Sequence, residues 1–351
     1  MKRAIAWWLA GVVGFVLALE LLFRILPVST STETGYYTDP LILTYPPHHR
    51  WTVSTGWDLR NAQTLEANNL GYAAGRDFER NEQAVALIGD SFVEASMLAA
   101  SDRPGTQLER ALGSRPVFAI GSPGTALLDY AERIRFAHEQ LGVRDFVILM
   151  ERGDVKQSLC GSGNINGPCL DSKTLTPRIE TLPVAGIAKR IFRHSALAQY
   201  FFSQLKFSPQ KLWQQARSPS HPIGVVKNSL STDQSHARLP DVSETVMLDV
   251  DAITNAFFAR VKPHAFGKLV IVVDSDRNAL YGGKIPADPA RSRFIYLARA
   301  AGARIIDTES LFRAQLARSP LRFEVGPYDG HLNALGINLI AQAIAGEICQ
   351  P

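Results

Sequence analysis

The apolar positions of the chain form five short runs after residue 83, and these runs alternate with stretches at helical spacing. The runs are "AVALI", "PVFAI", "DFVILM", "KLVIVV" and "ARIID". The helical stretches are "TALLDYAERIRFAHEQLG", "DAITNAFFARVKPHAFG", "DPARSRFIYLARAAG" and "NALGINLIAQAIAGEI". Such alternation is typical of a parallel sheet with helices on both faces. We therefore predict a three-layer α/β/α domain over residues 83–351.

Two regions depart from this alternation. Between about residues 155 and 244 no strand pattern persists, which predicts an insertion. Within it, "AGIAKRIFRHSALAQYFFSQLKF" is amphipathic, which is typical of a helix packed over the domain's edge or of a helix on a membrane surface. We favour the packed helix. Residues 26–82 are rich in Thr, Tyr, Pro and Asn and follow neither period, so we interpret them as a stalk or N-terminal extension.

A nearly unbroken apolar run, Ala4–Phe23, lies near the N-terminus, with Glu20 as its one charged residue and Arg24 after it. About 20 apolar residues span a bilayer, whereas a secretory signal has a shorter apolar region and a cleavage site that "RILPVSTSTE" matches poorly. We therefore prefer a retained transmembrane anchor over residues 1–25 to a cleaved signal. Because Lys2 and Arg3 precede the run, the N-terminus is expected in the cytoplasm and the domain outside, in the periplasm of a Gram-negative cell.

Composition and charge change this picture little. The chain has 351 residues, of which 46% are hydrophobic and 20% charged, enough for one main domain with a large core. The formal net charge of +4 arises from Lys and Arg residues that are scattered along the chain and form no basic block. A nucleic-acid partner is therefore not expected.

Cysteine usage fits an oxidising compartment. Only Cys160, Cys169 and Cys349 occur, and the first two flank "GSGNINGP", a loop that can bring them together. We predict a Cys160–Cys169 disulfide, with two separate thiols in a flexible loop as the alternative. His48 and His49 lack spaced Cys or carboxylate partners, so no metal site is predicted, and no cofactor is implied.

The first apolar run ends at a candidate catalytic serine. "ALIGDSFVEA" places Gly89, Asp90 and Ser91 directly after this strand. Ligands of open parallel sheets bind beyond the carboxyl ends of the strands, so Ser91 is well placed for chemistry. A serine after a strand is also typical of a helix N-cap. This motif alone therefore does not decide the role of Ser91.

A second candidate motif, "YDGHLNALG", lies near the C-terminus. A serine nucleophile needs a base for its proton, and a histidine base needs a carboxylate or carbonyl that holds its tautomer and orientation. His331 and Asp329 supply these two groups within one loop. The alternative is a solvated turn that caps the last helix. The two motifs together favour Ser91, His331 and Asp329 as a catalytic set.

With these two blocks the sequence resembles the SGNH/GDSL hydrolase family, in which a GDS serine pairs with a late Asp/His block. The matching residues are Gly89-Asp90-Ser91, Asp329-Gly330-His331-Leu332-Asn333 and Gly336. The resemblance covers most of the chain from about residue 84 and implies a flavodoxin-like sheet. It also implies an oxyanion hole built from the backbone amides of Ser91 and Gly124, the latter in "VFAIGSPGTAL". Asp90, Asp154 and Asn333 are candidate supporting residues.

The chain departs from the family's pattern in three places. Ala119 stands where members often carry Asn, and Gly153 in "ILMERGDV" stands where members usually carry an Asn that donates to the oxyanion. Losing one such donor costs about 10²–10³ in turnover. Asn164 or Asn166 is a candidate substitute donor, with ordinary loop residues as the alternative. The late block is Asp-x-His, shorter than the commonest Asp-x-x-His.

The Asp-x-His spacing is similar to that of bacterial SGNH-like proteins of polysaccharide O-acetylation, as are the anchor and "NNLGY", Asn68–Tyr72. An ordinary Asn/Gly turn explains "NNLGY" equally well. The resemblance implies a membrane-anchored serine esterase or O-acyltransferase that acts on O-acetyl groups of an envelope or exported polysaccharide. Its expected partners are an acylated carbohydrate, the membrane and candidate polysaccharide-assembly proteins.

Two questions stay open at the level of sequence. Nothing in the chain decides whether water or a sugar hydroxyl accepts the acyl group. The alternative class is a catalytically weak glycan-binding or assembly protein with the same fold. Gly153 supports this alternative, whereas the intact set of Ser91, Asp329 and His331 opposes it.

Overall fold

The computed structural model describes residues 1–162, 166–183, 186–205, 242–284, 288–326 and 329–350. The strands of this described part are β1 (Gly35–Asp39), β2 (Ile42–Thr44), β3 (Arg50–Thr55), β4 (Arg60–Glu66), β5 (Val85–Gly89), β6 (Val117–Gly121), β7 (Asp145–Met150), β8 (Pro168–Leu170), β9 (Pro177–Ile179), β10 (Leu269–Val273), β11 (Arg304–Asp307), β12 (Glu324–Gly326) and β13 (Asp329–Leu332).

The helices of the same residues are α1 (Lys2–Ile25), α2 (Ser91–Glu94), α3 (Pro104–Ala111), α4 (Leu127–Leu141), α5 (Asp154–Gln157), α6 (Ile187–Arg193), α7 (Ala196–Gln199), α8 (Val242–Val261), α9 (Arg277–Tyr281), α10 (Pro289–Ala300), α11 (Thr308–Leu316) and α12 (Ala334–Cys349). A 3₁₀ turn covers Ala100–Asp102, and a π-helix covers Tyr200–Gln204.

The chain divides into two compact units. The anchor unit contains Met1–Glu33, Arg50–Leu65 and the described residues of Pro183–Thr232. The α/β unit contains Thr34–His49, Glu66–Leu182 and the described residues of Asp233–Pro351.

A five-stranded parallel sheet forms the centre of the α/β unit. Its order is β11-β10-β7-β5-β6, and each neighbouring pair is parallel. Counted from the β6 edge by first appearance in the chain, this is the 2-1-3-4-5 order of flavodoxin-like folds. The five strands coincide with the five apolar runs of the sequence. The predicted parallel sheet is therefore confirmed.

The two faces of this sheet enter separate apolar cores, because successive side chains of a strand point to opposite faces. Ala86, Ile88 and Ile148 pack with α4, α8 and α10 on one face. Val85 and Leu87 pack with α2, α3, α11 and α12 on the other. Strands buried on both faces read as continuous apolar runs, which is why the sequence pattern was strong. The predicted three-layer α/β/α architecture is confirmed.

The helices of the α/β unit follow their local signals. Asp288 caps α10 by accepting a hydrogen bond from the Arg291 N–H, and Pro289 occupies the first turn. Helix α8 ends at Val261, two residues before Pro263, because the residue before a proline disfavours helical backbone. The predicted helices are thus present as α4, α8, α10 and α12.

The segment of residues 26–82 contains two antiparallel hairpins, β1–β2 and β3–β4, although its sequence shows no sustained period. Strand β4 is mostly exposed on both faces, so its residues carry no alternation that a pattern search detects. In "NNLGY", the Asn68 Oδ1 accepts the N–H groups of Leu70 and Tyr72, each at 3.0 Å. Gly71 has φ +83°, and a Cβ there would lie 2.1 Å from the Tyr45 carbonyl. This stretch is therefore a closely packed turn in which Asn68, Gly71 and Tyr72 are buried.

The insertion also contains more structure than its sequence indicates. Strands β8 and β9 form a short antiparallel pair, and the Cys160–Cys169 disulfide, with 5.1 Å between the Cα atoms, closes the loop that precedes them. The amphipathic stretch is broken into α6, α7 and the π-helix. The break falls at Ser195, whose hydroxyl caps α7 by accepting the Ala198 N–H at 3.1 Å. The polar segment of residues 206–241 lies outside the described residues.

Helix α1 covers the N-terminal apolar run. It has 24 residues, none of them buried, and it is long and apolar enough to cross a bilayer.

Candidate active site

The candidate nucleophile lies at the carboxyl edge of the sheet, where β5 turns directly into α2. Asp90 caps this short helix, because its Oδ1 accepts the Phe92 N–H at 2.8 Å. Gly89 permits the sharp turn, since a Cβ there would lie 2.6 Å from a Val93 methyl carbon and 2.7 Å from the Leu149 carbonyl. Ser91 is therefore the first residue of a helix that packs closely over the ends of the central strands.

The late motif lies beside this serine. The strand pair β12–β13 carries Asp329 and His331, two residues apart on one strand, so both side chains project to the same side. The His331 Nε2 is 2.9 Å from the Ser91 Oγ, and its Nδ1 is 2.6 Å from the Asp329 Oδ1. The same Asp329 oxygen accepts the backbone N–H of His331 at 3.0 Å. The structure thus brings together the three residues that the two motifs singled out.

These distances define a chain of proton donors and acceptors. With the Nδ1–H directed at the carboxylate, Nε2 is left to accept the serine hydroxyl proton. The Ser91 hydroxyl also lies 3.5 Å from the Asp90 Oδ2, which is farther than the histidine nitrogen. A hydroxyl next to an oriented imidazole is the arrangement that activates serine as a nucleophile.

Arg277, which the sequence analysis did not single out, supports the loop that carries His331. Its Nη2 donates to the Gly330 carbonyl at 2.9 Å and to the Asp274 carboxylate at 3.2 Å. The guanidinium lies over the Phe92 ring at 5.8 Å, and that ring is 5.1 Å from the imidazole of His331. Arg277 follows β10 in "VVDSDR", and charged residues at the carboxyl end of a parallel strand were the available signal.

Asn333 stabilises the same loop from its other end. Its Oδ1 caps α12 by accepting the Gly336 N–H at 3.0 Å. Its Nδ2 donates to the carbonyls of Arg322 and Glu324 at 2.9 and 3.1 Å. The structure therefore places this predicted supporting residue in the scaffold of β12 and β13.

Two predicted supporting carboxylates, Asp90 and Asp154, interact electrostatically with each other and with Glu151. Burial raises the pKa of Asp90 to about 6, with Glu151 adding to the rise and His331 opposing it. Burial also raises the pKa of Asp154 well above its usual range, and the carboxylates of Asp90 and Glu151 raise it further. The Asp154 Oδ2 accepts the Tyr130 hydroxyl at 3.0 Å and the Glu151 N–H at 2.8 Å. Asp154 thus anchors the loop after β7.

Gly153 lies in that loop with ordinary helical backbone angles, so its conformation does not require glycine. Its N–H donates to the Glu151 Oε2 at 2.6 Å. A Cβ at this position would lie 2.5 Å from the Gln157 Nε2 and 2.7 Å from the same Glu151 oxygen. Where the family resemblance implies an amide donor, this chain therefore has a carboxylate next to a glycine.

Gly124 follows β6, the neighbour of β5 in the sheet, and Gly89 pairs with Gly121 in the register of these strands. The φ of Gly124, +76°, lies in the left-handed region that favours glycine. Its carbonyl accepts the Asn166 N–H from the disulfide loop at 3.3 Å. Among the described residues, neither the Ser91 nor the Gly124 amide donates a hydrogen bond to the protein. Asn164, the other candidate donor, lies outside the described residues.

A further carboxylate of this region is Glu94, which the sequence analysis also missed. The Tyr45 hydroxyl donates to it at 3.2 Å. Burial raises the pKa of Glu94 to about 7. This residue type at the end of a four-residue helix gives no sequence signal of burial.

The described residues contain one group with the spacing of metal ligands, Cys160, Cys169 and Glu180. Both of its sulfur atoms form the disulfide, so they are not available as thiolate ligands.

No family model matches the chain, and no curated protein matches it. Among solved structures, the chain is similar to a member of the lipolytic G-D-S-L family from Veillonella parvula, with 11% identity, coverage of 76% of this chain and 97% of that chain, and a TM-score of 0.36. It is similar to a carbohydrate acetylesterase from Sinorhizobium meliloti, with 9% identity, coverage of 76% and 98%, and a TM-score of 0.36. It is also similar to a lipopolysaccharide acetyltransferase periplasmic domain from Salmonella ser. Paratyphi A, with 11% identity, coverage of 78% and 86%, and a TM-score of 0.31. All three likenesses are distant.

Proposed function

We propose that the protein is a serine-dependent esterase or acyltransferase with Ser91 as its nucleophile. The observation that carries this proposal is the continuous hydrogen-bonded chain from Ser91 through His331 to Asp329, with 2.9 and 2.6 Å between its members. The chain lies at the carboxyl edge of a parallel sheet, where such folds bind ligands.

In the first half of the reaction, the Ser91 Oγ attacks the carbonyl carbon of the ester while His331 Nε2 takes the hydroxyl proton. The carbonyl oxygen becomes an oxyanion, which the amides of Ser91 and Gly124 stabilise. The Asp329 carboxylate stabilises the imidazolium that forms. When the tetrahedral species collapses, the bond to the alcohol oxygen breaks and His331 returns the proton to that oxygen. The product is an acyl-serine.

In the second half, an acceptor hydroxyl attacks the acyl carbon and His331 takes its proton. Water as the acceptor gives hydrolysis, whereas a sugar hydroxyl gives transfer. The tetrahedral species then releases Ser91, which regains its proton from His331. Because Gly153 supplies no side-chain donor, we expect turnover about 10²–10³ below that of a site with a third donor.

For the substrate, we propose O-acetyl groups of an envelope or exported polysaccharide, and for the location, the outer side of the cytoplasmic membrane. Three sequence features support this choice: the family resemblance, the apolar helix α1 and the position of Lys2 and Arg3 before it. The insertion at residues 155–244 and the extension at 26–82 are proposed as additions to one catalytic domain.

In the test, the full-length protein in detergent is incubated with an acetylated oligosaccharide and an unacetylated acceptor. Released acetate would identify a hydrolase, and a mass increase of the acceptor by one acetyl group would identify a transferase. Ser91→Ala is the matched control, because it removes the nucleophilic oxygen alone, and it should abolish either product. If the folded protein binds the oligosaccharide and forms neither product, it is a glycan-binding protein. The absence of a side-chain donor at Gly153, whose N–H donates to the Glu151 carboxylate at 2.6 Å, supports this second candidate.

A further inference from the structure

Glu20 is the one charged residue of the apolar run, and its carboxylate accepts four hydrogen bonds. The donors are Arg24 Nε at 2.9 Å, Ser195 Oγ at 2.8 Å, and the backbone N–H groups of Ala196 and Leu197, each at 3.0 Å. Its side chain is 19% exposed. A carboxylate in a membrane-spanning helix is costly unless it is paired. These contacts satisfy Glu20 and fix the first turn of α7 against the last turns of α1.

Three more contacts join the insertion and the β3–β4 turn to the same end of α1. The Phe23 and Tyr200 rings stack with 4.3 Å between their centroids. Arg24 Nη2 donates to the His194 carbonyl at 3.2 Å. The Tyr200 hydroxyl donates to the Trp57 carbonyl at 2.9 Å. The C-terminal end of α1 is therefore in contact with the insertion, which in turn contacts the β3–β4 turn.

Gln204, at the end of the π-helix, holds these parts together. Its side chain is buried, and its Nε2 donates to the carbonyls of Ser54 and Gly56 at 3.1 and 2.7 Å. Its Oε1 accepts the Ser29 N–H and the Ser54 hydroxyl, each at 3.0 Å. With all of its polar atoms satisfied, Gln204 fixes the π-helix against the β3–β4 hairpin.

The length of α1 indicates how deep Glu20 and its partners lie in a bilayer that α1 spans. At 1.5 Å per residue, its 24 residues extend about 36 Å, slightly more than the about 30 Å hydrocarbon core of a bilayer. Glu20 lies little more than one turn before the end of the helix at Ile25. Its partners on α7 are therefore close to the boundary between hydrocarbon and headgroups when α1 spans the membrane.

Large aromatic side chains project from this assembly. Trp57 is 75% exposed, Phe192 52%, Phe202 48% and Phe201 42%. We call these four residues the aromatic patch. The Phe192 and Phe202 rings are 5.8 Å apart, so at least this pair is contiguous. Aromatic side chains next to a membrane span are typical of the bilayer interface.

We propose that the aromatic patch inserts into the outer interface of the bilayer that α1 spans, and that Glu20 holds it there. The occupant is the lipid surface itself, because the patch is continuous with the end of the anchor. The proposal rests on the proposed membrane anchoring. It assigns the amphipathic stretch of the insertion to the membrane surface, the alternative that the sequence analysis ranked second. Anchoring at α1 alone would leave these aromatic rings in water.

The test uses the full chain with Cys349→Ser, so that a single introduced cysteine carries an environment-sensitive fluorophore. Three positions are compared: Phe202→Cys in the patch, Leu17→Cys on the exposed face of α1, and Ala62→Cys on the exposed strand β4 as the reference. The protein is placed in phosphatidylcholine nanodiscs whose lipids carry nitroxide quenchers at shallow or deep acyl positions. We expect lipid quenching at 202 to be severalfold stronger than at 62 and greatest with the shallow nitroxide.

The three labels separate the possible failures. Quenching at 17 but not at 202 would overturn the inference and leave the anchoring intact. Absence of quenching at 17 would overturn the anchoring itself. A label at 202 that is shielded from aqueous iodide yet not quenched by lipid would mean that protein covers the patch, which also contradicts the proposal.

Two variants test the role of Glu20. Glu20→Leu removes all acceptors for the α7 donors, so quenching at 202 should fall toward the reference value while quenching at 17 persists. Glu20→Gln keeps one acceptor oxygen and should retain most of the wild-type quenching. Full quenching at 202 in Glu20→Leu would show that Glu20 does not hold the patch.

Discussion

Replacing Asp329 with Asn tests how the carboxylate supports His331. One carboxylate oxygen, Oδ1, accepts both the ring Nδ1–H at 2.6 Å and the backbone N–H of His331 at 3.0 Å. An asparagine that turned its NH₂ group to this position would place a donor against the backbone N–H. We therefore expect the amide oxygen to replace Oδ1, so that Nδ1 keeps its proton and Nε2 still accepts the proton of Ser91.

The expected loss of activity in Asp329→Asn then comes from the missing carboxylate charge and not from a changed tautomer of His331. A carboxylate about 3 Å from an imidazolium contributes about 5 kcal/mol at an effective dielectric constant of about 20. The side chains of His331 and Asp329 are 28% and 19% exposed, and solvent screening reduces this contribution to about 2–3 kcal/mol. Because about 1.4 kcal/mol corresponds to a tenfold change, we expect kcat/KM to fall by about 10².

The assay is hydrolysis of p-nitrophenyl acetate by the full-length protein, with circular dichroism as the folding control. Asp329→Ala, which leaves both N–H groups of His331 without this acceptor, should lose more activity than Asp329→Asn. A fall of Asp329→Asn to the level of Ser91→Ala would refute the reasoning. It would indicate a lost tautomer, which costs about 10⁴ in a serine protease. An unchanged rate would remove Asp329 from the catalytic set.

Three further predictions concern the rest of the chain. A reporter fused after Pro351 should be active only outside the cytoplasm, and cytoplasmic activity would contradict the topology. Reducing the Cys160–Cys169 bond should cost about 2–3 kcal/mol and loosen the disulfide loop more than the sheet, as measured by hydrogen exchange; equal loosening of both would contradict this. Burial raises the pKa of Asp129 from 3.8 to about 7, so the folded state binds its proton more tightly than the unfolded state does. The contribution of Asp129 to the free energy of unfolding is thus fully present below about pH 4 and is lost as pH rises through about 7. The total loss is about 4 kcal/mol. In unfolding experiments, Asp129→Asn should reduce this fall of the free energy of unfolding with pH. An unchanged pH profile would show that Asp129 does not cause it.

The parts of the fold that could be predicted from sequence are those with a strong local pattern. The central strands are buried on both faces and read as unbroken apolar runs, so all five were predicted. The hairpins β1–β2 and β3–β4 were not, because their strands are short and lack a clear alternation of buried and exposed residues. The amphipathic stretch was predicted as one helix. Its break at Ser195 follows from a serine N-cap, a signal that the sequence "RHSALAQ" does contain.

The residues of the candidate site also divide into those that a local motif indicates and those that it does not. Ser91, Asp329 and His331 could be proposed because each lies in a short motif whose residue types suit the chemistry. Arg277 reaches Gly330 across 53 positions of the chain, and an arginine after a strand is most often a surface residue. The contact of Tyr45 with Glu94 is equally remote in sequence. Such contacts are fixed by tertiary packing, so a local signal such as the position of Arg277 after β10 does not reveal them.

The most direct test of the central claim is to determine which residue of the folded full-length protein reacts with an organophosphonate ester. A serine hydroxyl reacts only if a base takes its proton and nearby donors stabilise the tetrahedral adduct, which ordinary N-cap serines lack. We expect one phosphonyl adduct per chain, mapped by peptide mass spectrometry to Ser91, absent in Ser91→Ala and strongly reduced in His331→Ala. A folded sample that gives no adduct at Ser91, under conditions that label a known serine esterase, would contradict the proposed nucleophile and favour the binding protein.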